Sequence, residues 1–200
     1  MFSLEDLLGQ QQGAEAVNQV SQQVGAEPSL VNSAIQLALP TILNGLANNA
    51  ATPEGAQSLN NALEKDHNGG ILDNLGSLAG MIFGGGQATR ETDAGGILGH
   101  ILGGNQGNVT QQISNKSGLG VGQVAQILMF LAPIVMGYLG RQKQQNNLDA
   151  GGLSAMLGAQ QQQIQQSPQG GFLSSMLDSN HDGSITDDIA SMAFKYMTNK

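Results

Sequence analysis

The densest run of oxygen donors occupies residues 178–189: Asp178-Ser179-Asn180-His181-Asp182-Gly183-Ser184-Ile185-Thr186-Asp187-Asp188-Ile189. Its spacing follows the calcium loop of an EF-hand. Alternate side chains there point at one centre, and a hard cation takes several oxygens. Asp178, Asn180 and Asp182 fall at the first, third and fifth loop positions, and Gly183 stands at the sharp turn. Ser184 would offer a backbone carbonyl and Ile185 an apolar anchor. The loop departs from the pattern at its last position, where Ile189 replaces the bidentate Glu. Asp187 and Asp188 come just before it, so Asp188 could close the loop one residue early. The expected ligand set is therefore Asp178, Asn180, Asp182, Ser184 and Asp188, with Ca2+ as the cofactor, held weakly. The alternative is a polar helix–turn–helix corner in which Asp187 and Asp188 favour a helix N-terminus.

A degraded copy of this loop lies at residues 62–75. Glu64, Asp66 and Asn68 stand where Asp178, Asn180 and Asp182 do. His67, Gly69, Ile71 and Asp73 match His181, Gly183, Ile185 and Asp187, so a His-x-Gly-x-Ile-x-Asp unit recurs. The first copy has poorer ligands, which favours a shared corner over a shared metal.

Other chemistry finds little support. The chain has no cysteine, hence no disulfide, thiolate zinc site or cysteine nucleophile. None of His67, His100 and His181 has another His, a Cys or a paired carboxylate at the helical spacing of a zinc site. The glycine runs lack the preceding strand and following Lys-Ser/Thr of a phosphate loop. No enzyme is expected. An enzymatic alternative would need a cleft at the His67 or His181 corner, lined by Asp66, His67 and Asp73 or by Asn180, His181 and Asp187.

Residues 20–35 match a helix–turn–helix mask, with Ser21 small, Gly25 at the corner and Val31 and Ile35 apolar. The second helix would carry no Lys or Arg. Net charge is −8, from 7 Lys+Arg and 15 Asp+Glu. Phosphate neutralisation supplies most duplex affinity, so no nucleic-acid partner is expected.

The elements that must position these groups are helical. Shifted by 93 positions, residues 20–46 superimpose on residues 113–139: Ser21 on Ser114, Gly25 on Gly118, Val31 on Val124, Pro40 on Pro133 and Leu46 on Leu139. This predicts a duplicated helical unit. In each copy a helix ends at the glycine, a second begins with one wide apolar face, and the proline is expected to kink or break it. Alternating β-branched runs are absent, so the fold class is all-α. Gly69-Gly70, Gly95-Gly96, Gly151-Gly152, Gly170-Gly171 and Gly183-Ser184 each precede an apolar residue and read as corners between short helices. Residues 84–87 and 103–108 read as flexible linkers. The Gln-rich stretch 160–169 fits either a polar helix extension or a loose linker.

Charged residues make up 11% of the 200, and 24 Gln and 16 Asn give a carboxamide-rich surface. The N-terminus lacks a basic stretch before its apolar residues, so no secretory signal is expected and the default compartment is the cytoplasm. Residues 121–139 approach the length and apolarity of a membrane span. Their counterpart at residues 30–46 carries Asn32, Ser33, Gln36, Thr41 and Asn44, which favours core helices, so membrane association is the lesser expectation.

These motifs together resemble the YidB-like bacterial family, a domain of unknown function. The likeness is carried by Val24-Gly25-Ala26 through Leu39-Pro40 and its second copy, the His67–Leu75 corner and the Leu177–Ile189 segment, and it spans most of the chain. It implies a small all-helical flattened bundle without a known cofactor or activity. The expected organisation is a first repeat unit at 1–104, a second with the Gln-rich linker at 105–169, and an EF-hand-like segment at 170–200. The expected function is a non-catalytic binding or self-assembly module, partnered by other proteins or by further copies of itself as a homo-oligomer, because low charge density gives little repulsion against association.

Overall fold

The structure is a computed structural model that describes residues 3–67, 69–84 and 92–166. The calcium-loop residues Asp178, Asn180, Asp182, Ser184 and Asp188 lie outside the described residues, as do the Gly170-Gly171 and Gly183-Ser184 pairs.

Among the described residues the fold is all-α, with no strand. Local sequence signals start most helices. In α1 (Leu4–Leu8), the Ser3 hydroxyl accepts from the Asp6 N–H while the Asp6 carboxylate accepts from the Ser3 N–H. Helix α2 (Gln10–Val24) ends at Gly25, whose φ of 65° is a left-handed conformation that costs glycine little. Pro28 opens α3 (Pro28–Asn49) and Pro53 opens α4 (Pro53–Lys65), where the missing N–H removes no helical bond. A 3-10 turn at Gly70–Asp73 leads to α5 (Leu75–Phe83), and α6 (Ala94–Leu102) follows. A second 3-10 turn, Gly103–Asn105, runs straight into α7 (Gln106–Ser117). Helix α7 ends at Gly118, left-handed like Gly25 with φ 78°. Helix α8 (Val121–Asn146) and helix α9 (Ala150–Gln165) complete the described chain.

Helices α3 and α8 pack on each other at the centre. Residues 38–47 of α3 and 130–137 of α8 are buried without interruption. A helix that is apolar on every side needs such enclosure. Around this pair, α7 packs on α3 while α2 packs on α8, and α9 packs on α3 while α4 packs on α8. Helices α4 and α9 also meet each other. Gln123 joins two of these elements at the start of α8. Its Oε1 accepts from the Gly120 N–H at 2.9 Å, and its Nε2 donates to the Val24 carbonyl at 2.8 Å.

Three local expectations give way to packing. Neither proline breaks its helix: α3 runs through Pro40 and α8 through Pro133. Both prolines lie in the uninterrupted buried stretches, where packing on all sides offsets the missing bond. Thr41 adds a side-chain donor there, its Oγ1 2.7 Å from the Leu37 carbonyl. The 103–105 stretch is an ordered 3-10 turn and no linker.

The Gly95-Gly96 and Gly151-Gly152 pairs are the third correction. They lie inside the first turns of α6 and α9 and have no positive φ. Their role is access. Asp93 Oδ1 accepts from the Gly96 N–H at 3.1 Å, and Asp149 Oδ1 from the Gly152 N–H at 2.8 Å. A Cβ at Gly96 would stand 2.5 Å from Asp93 Oδ2, so glycine lets the capping carboxylate fold over the helix end.

By length and composition, α3 and α8 are also long and apolar enough to cross a membrane. In this fold 72% and 61% of their most apolar windows are buried inside the protein.

The Gln-rich stretch is helical through Gln165. Gln161 Nε2 donates to Asn44 Oδ1 at 2.5 Å and to Asn48 Oδ1 at 2.8 Å, tying α9 to α3.

Candidate ligand-binding cleft

The first copy of the loop motif closes onto α8. Lys143 Nζ lies 2.8 Å from Glu64 Oε1, and Arg141 donates at 2.8 Å to Asp73 Oδ1 and at 3.1 Å to the Gly69 carbonyl. The hydrogen bond and charge of Lys143 hold the Glu64 carboxyl below its ordinary range. These acids thus serve as partners for two cations of α8. Among the described residues no cluster of three or more His, Asp or Glu could hold a metal.

On the other side of the same corner lies a cleft of about 570 Å³ between α3, α4, α6 and α8. Such a volume falls in the range of small-molecule sites. Its floor is buried and apolar, made by Leu46, Leu59, Ile97, Ile101 and Met136. Half-buried Asp66 and exposed Asn49, Ser58, Asp93 and His100 add polar groups.

Three contacts position this lining. Asn49 Nδ2 donates to the carbonyls of His100 at 2.7 Å and Ile101 at 3.5 Å, capping the C-terminal end of α6. Asp93 caps the other end. The Ser58 hydroxyl is spent within its own helix, donating to the Glu54 carbonyl at 2.8 Å.

His67 is the unusual member. It is 5% exposed, and its Nδ1 has no hydrogen-bond partner among the described residues. Burial lowers its imidazole pKa, and the neighbouring Asp66 charge opposes that effect more weakly. A buried ring that favours its neutral form therefore belongs to the wall of an open cleft.

Of the sequence-selected residues, Asp66 and His67 meet in the cleft, whereas Asp73 faces Arg141 instead. Asp93 and His100 were not foreseen as lining the same cleft as His67. They stand far away in sequence, and no local spacing records their approach.

The fold and cleft define an all-helical protein with a small-molecule-sized site and no metal cluster among the described residues. The family model of DUF937, bacterial proteins of unknown function, matches residues 6–142. The chain belongs to this family, of which YidB is also a member. No curated protein and no solved structure matches the chain.

Proposed function

We propose that the protein is a non-catalytic helical binding module whose cleft between α3, α4, α6 and α8 takes a small ligand with an apolar body. The cleft carries this reading: it combines a buried apolar floor with polar groups at its rim. A catalytic reading has less support, because the nearby Ser58 hydroxyl is engaged in its own helix. The test uses 1-hexanol as a neutral probe, followed by amide chemical shifts of the full chain. Saturable shifts at Ile97 and Ile101, lost in a cleft-filling Ala62→Phe variant, are expected. Absence of cleft shifts, or unchanged shifts in that variant, overturns the reading.

The scaffold of this module is a duplicated unit, α1–α4 and α6–α9, with its boundary before α6 instead of after residue 104. Support comes from the matched left-handed Gly25 and Gly118, the similar extended backbone of Glu27 and Gly120, and the reciprocal packing of the flanking helices on α3 and α8. Helix α8 is four residues longer than α3, at 26 against 22, so the unit at its end resumes one turn later.

In this reading α3 and α8 are core helices of a cytoplasmic protein, and recovery of the chain in washed membranes would overturn that. The carboxamide-rich surface suits association with further copies. Light scattering should then give a mass that rises with concentration, and a constant monomer mass would refute it.

A further inference from the structure

Resting on the binding reading above, we propose that Gly45 and Asn49 of α3 form a clamp on α6 that sets the width of the cleft, and so the girth of the apolar ligand it takes. The two residues are one turn apart and share a face of the helix. Gly45 permits the close approach: a Cβ there would stand 2.8 Å from the Ile101 carbonyl oxygen. Asn49 fastens it, its Nδ2 donating to the His100 and Ile101 carbonyls at 2.7 and 3.5 Å. The gripped residues belong to the cleft itself. Leu46 and Asn49 line it from α3, and Ile97, His100 and Ile101 from α6. A displacement of α6 on α3 therefore moves one wall against the other.

The same arrangement recurs on α8, beside the His67 corner. Gly137 and Arg141 stand 92 positions after Gly45 and Asn49, one short of the offset of the repeat. A Cβ at Gly137 would stand 2.7 Å from Ile71 Cγ2, and Arg141 donates to the Gly69 carbonyl at 3.1 Å. There the gripped element is the 3-10 turn that follows Asp66 and His67, two further members of the lining. Each long helix thus pairs a glycine with a side-chain donor one turn later, and each pair holds a wall. An apolar site discriminates by fit: in walls that stay in place, one methylene changes affinity by about tenfold or more.

The test titrates two isomeric alcohols, 1-hexanol and the wider 3,3-dimethyl-1-butanol, into the full-length 15N-labelled protein. The ratio of their affinities is read from the Ile97 and Ile101 amide shifts. Asn49→Ala releases α6 and Gly45→Ala pushes it off α3, so both should move the ratio toward the branched alcohol by about fivefold. Gly99→Ala, also in α6, adds a Cβ that meets nothing within 4 Å and lies outside the lining, so it should keep the wild-type ratio. An unchanged ratio in Asn49→Ala, or an equal change in Gly99→Ala, overturns the clamp and leaves the cleft reading standing. No binding of either alcohol to the wild type removes the cleft reading and the clamp's selectivity with it. Asn49 is exposed, so Asn49→Ala decides the question even if Gly45→Ala fails to fold.

Discussion

Replacing Gly45 and Gly99 by alanine, each in turn, should change stability in opposite directions. Both glycines are inside helices, so both substitutions gain the same intrinsic helix propensity, about 1 kcal/mol. Both also remove the same backbone freedom from the unfolded chain. The surroundings differ. A Cβ at Gly99 meets nothing within 4 Å. A Cβ at Gly45 would stand 2.8 Å from both the carbonyl oxygen and Cγ2 of Ile101, where α6 lies against α3. The oxygen belongs to backbone and cannot swing aside, so α6 must shift.

That shift would disturb the Asn49 bonds to the His100 and Ile101 carbonyls. Overpacking of this kind costs about 1–3 kcal/mol. Taking the middle of that range, Gly99→Ala should stabilise by about 1 kcal/mol and Gly45→Ala should destabilise by about 1 kcal/mol, a difference of about 2 kcal/mol. For a chain of this size the two melting temperatures should differ by about 4–8 °C, read by circular dichroism at 222 nm. Melting temperatures that rise equally in both variants would refute the close approach of α6 to α3, and with it the shape of the cleft.

Three further outcomes are expected. The native state favours neutral His67, so near its ordinary pKa of 6.5 the native protein binds fewer protons than the unfolded chain. This contribution is fully present above that pH and is lost as the pH falls through it. The urea midpoint should drop more between pH 7.5 and 5.5 in the wild type than in His67→Phe, and equal drops would contradict the assignment. Gln161→Ala leaves buried Asn44 Oδ1 without the α9 donor and should cost about 1–2 kcal/mol by urea unfolding, with Asn44→Ala adding less than its separate effect. Calcium titration by calorimetry should give weak saturable heat that disappears in Asp178→Ala/Asp182→Ala; no heat at millimolar calcium reduces residues 178–189 to a helix corner.

The correspondence between residues 20–46 and 113–139 is legible because the signals involved act within one turn. A glycine at a helix stop, a proline at a first turn and apolar residues at helical spacing are all written in adjacent positions, and α2, α3, α7 and α8 follow them. The same locality explains the errors. The Gly95-Gly96 pair reads as a corner because glycine tolerates corners, yet here it makes room for the Asp93 carboxylate. Pro40 and Pro133 read as kinks or breaks because a proline removes a local bond, yet both helices continue through them where neighbouring helices enclose the chain.

By itself, the sequence determined the all-helical class, the helix stops at Gly25 and Gly118, and the absence of cysteine chemistry. Tertiary structure alone decided which face of the His67 corner matters. Asp73 and Glu64 pair with Arg141 and Lys143 of α8, while His67 and Asp66 line one cleft with Asp93 and His100 of α6. The physical reason is that caps and periodicity extend over a few residues, whereas a cleft is the space left between helices distant along the chain. Its lining comes from residues 46 to 136, and only the packing of α6 on α3 and α8 brings them to one place.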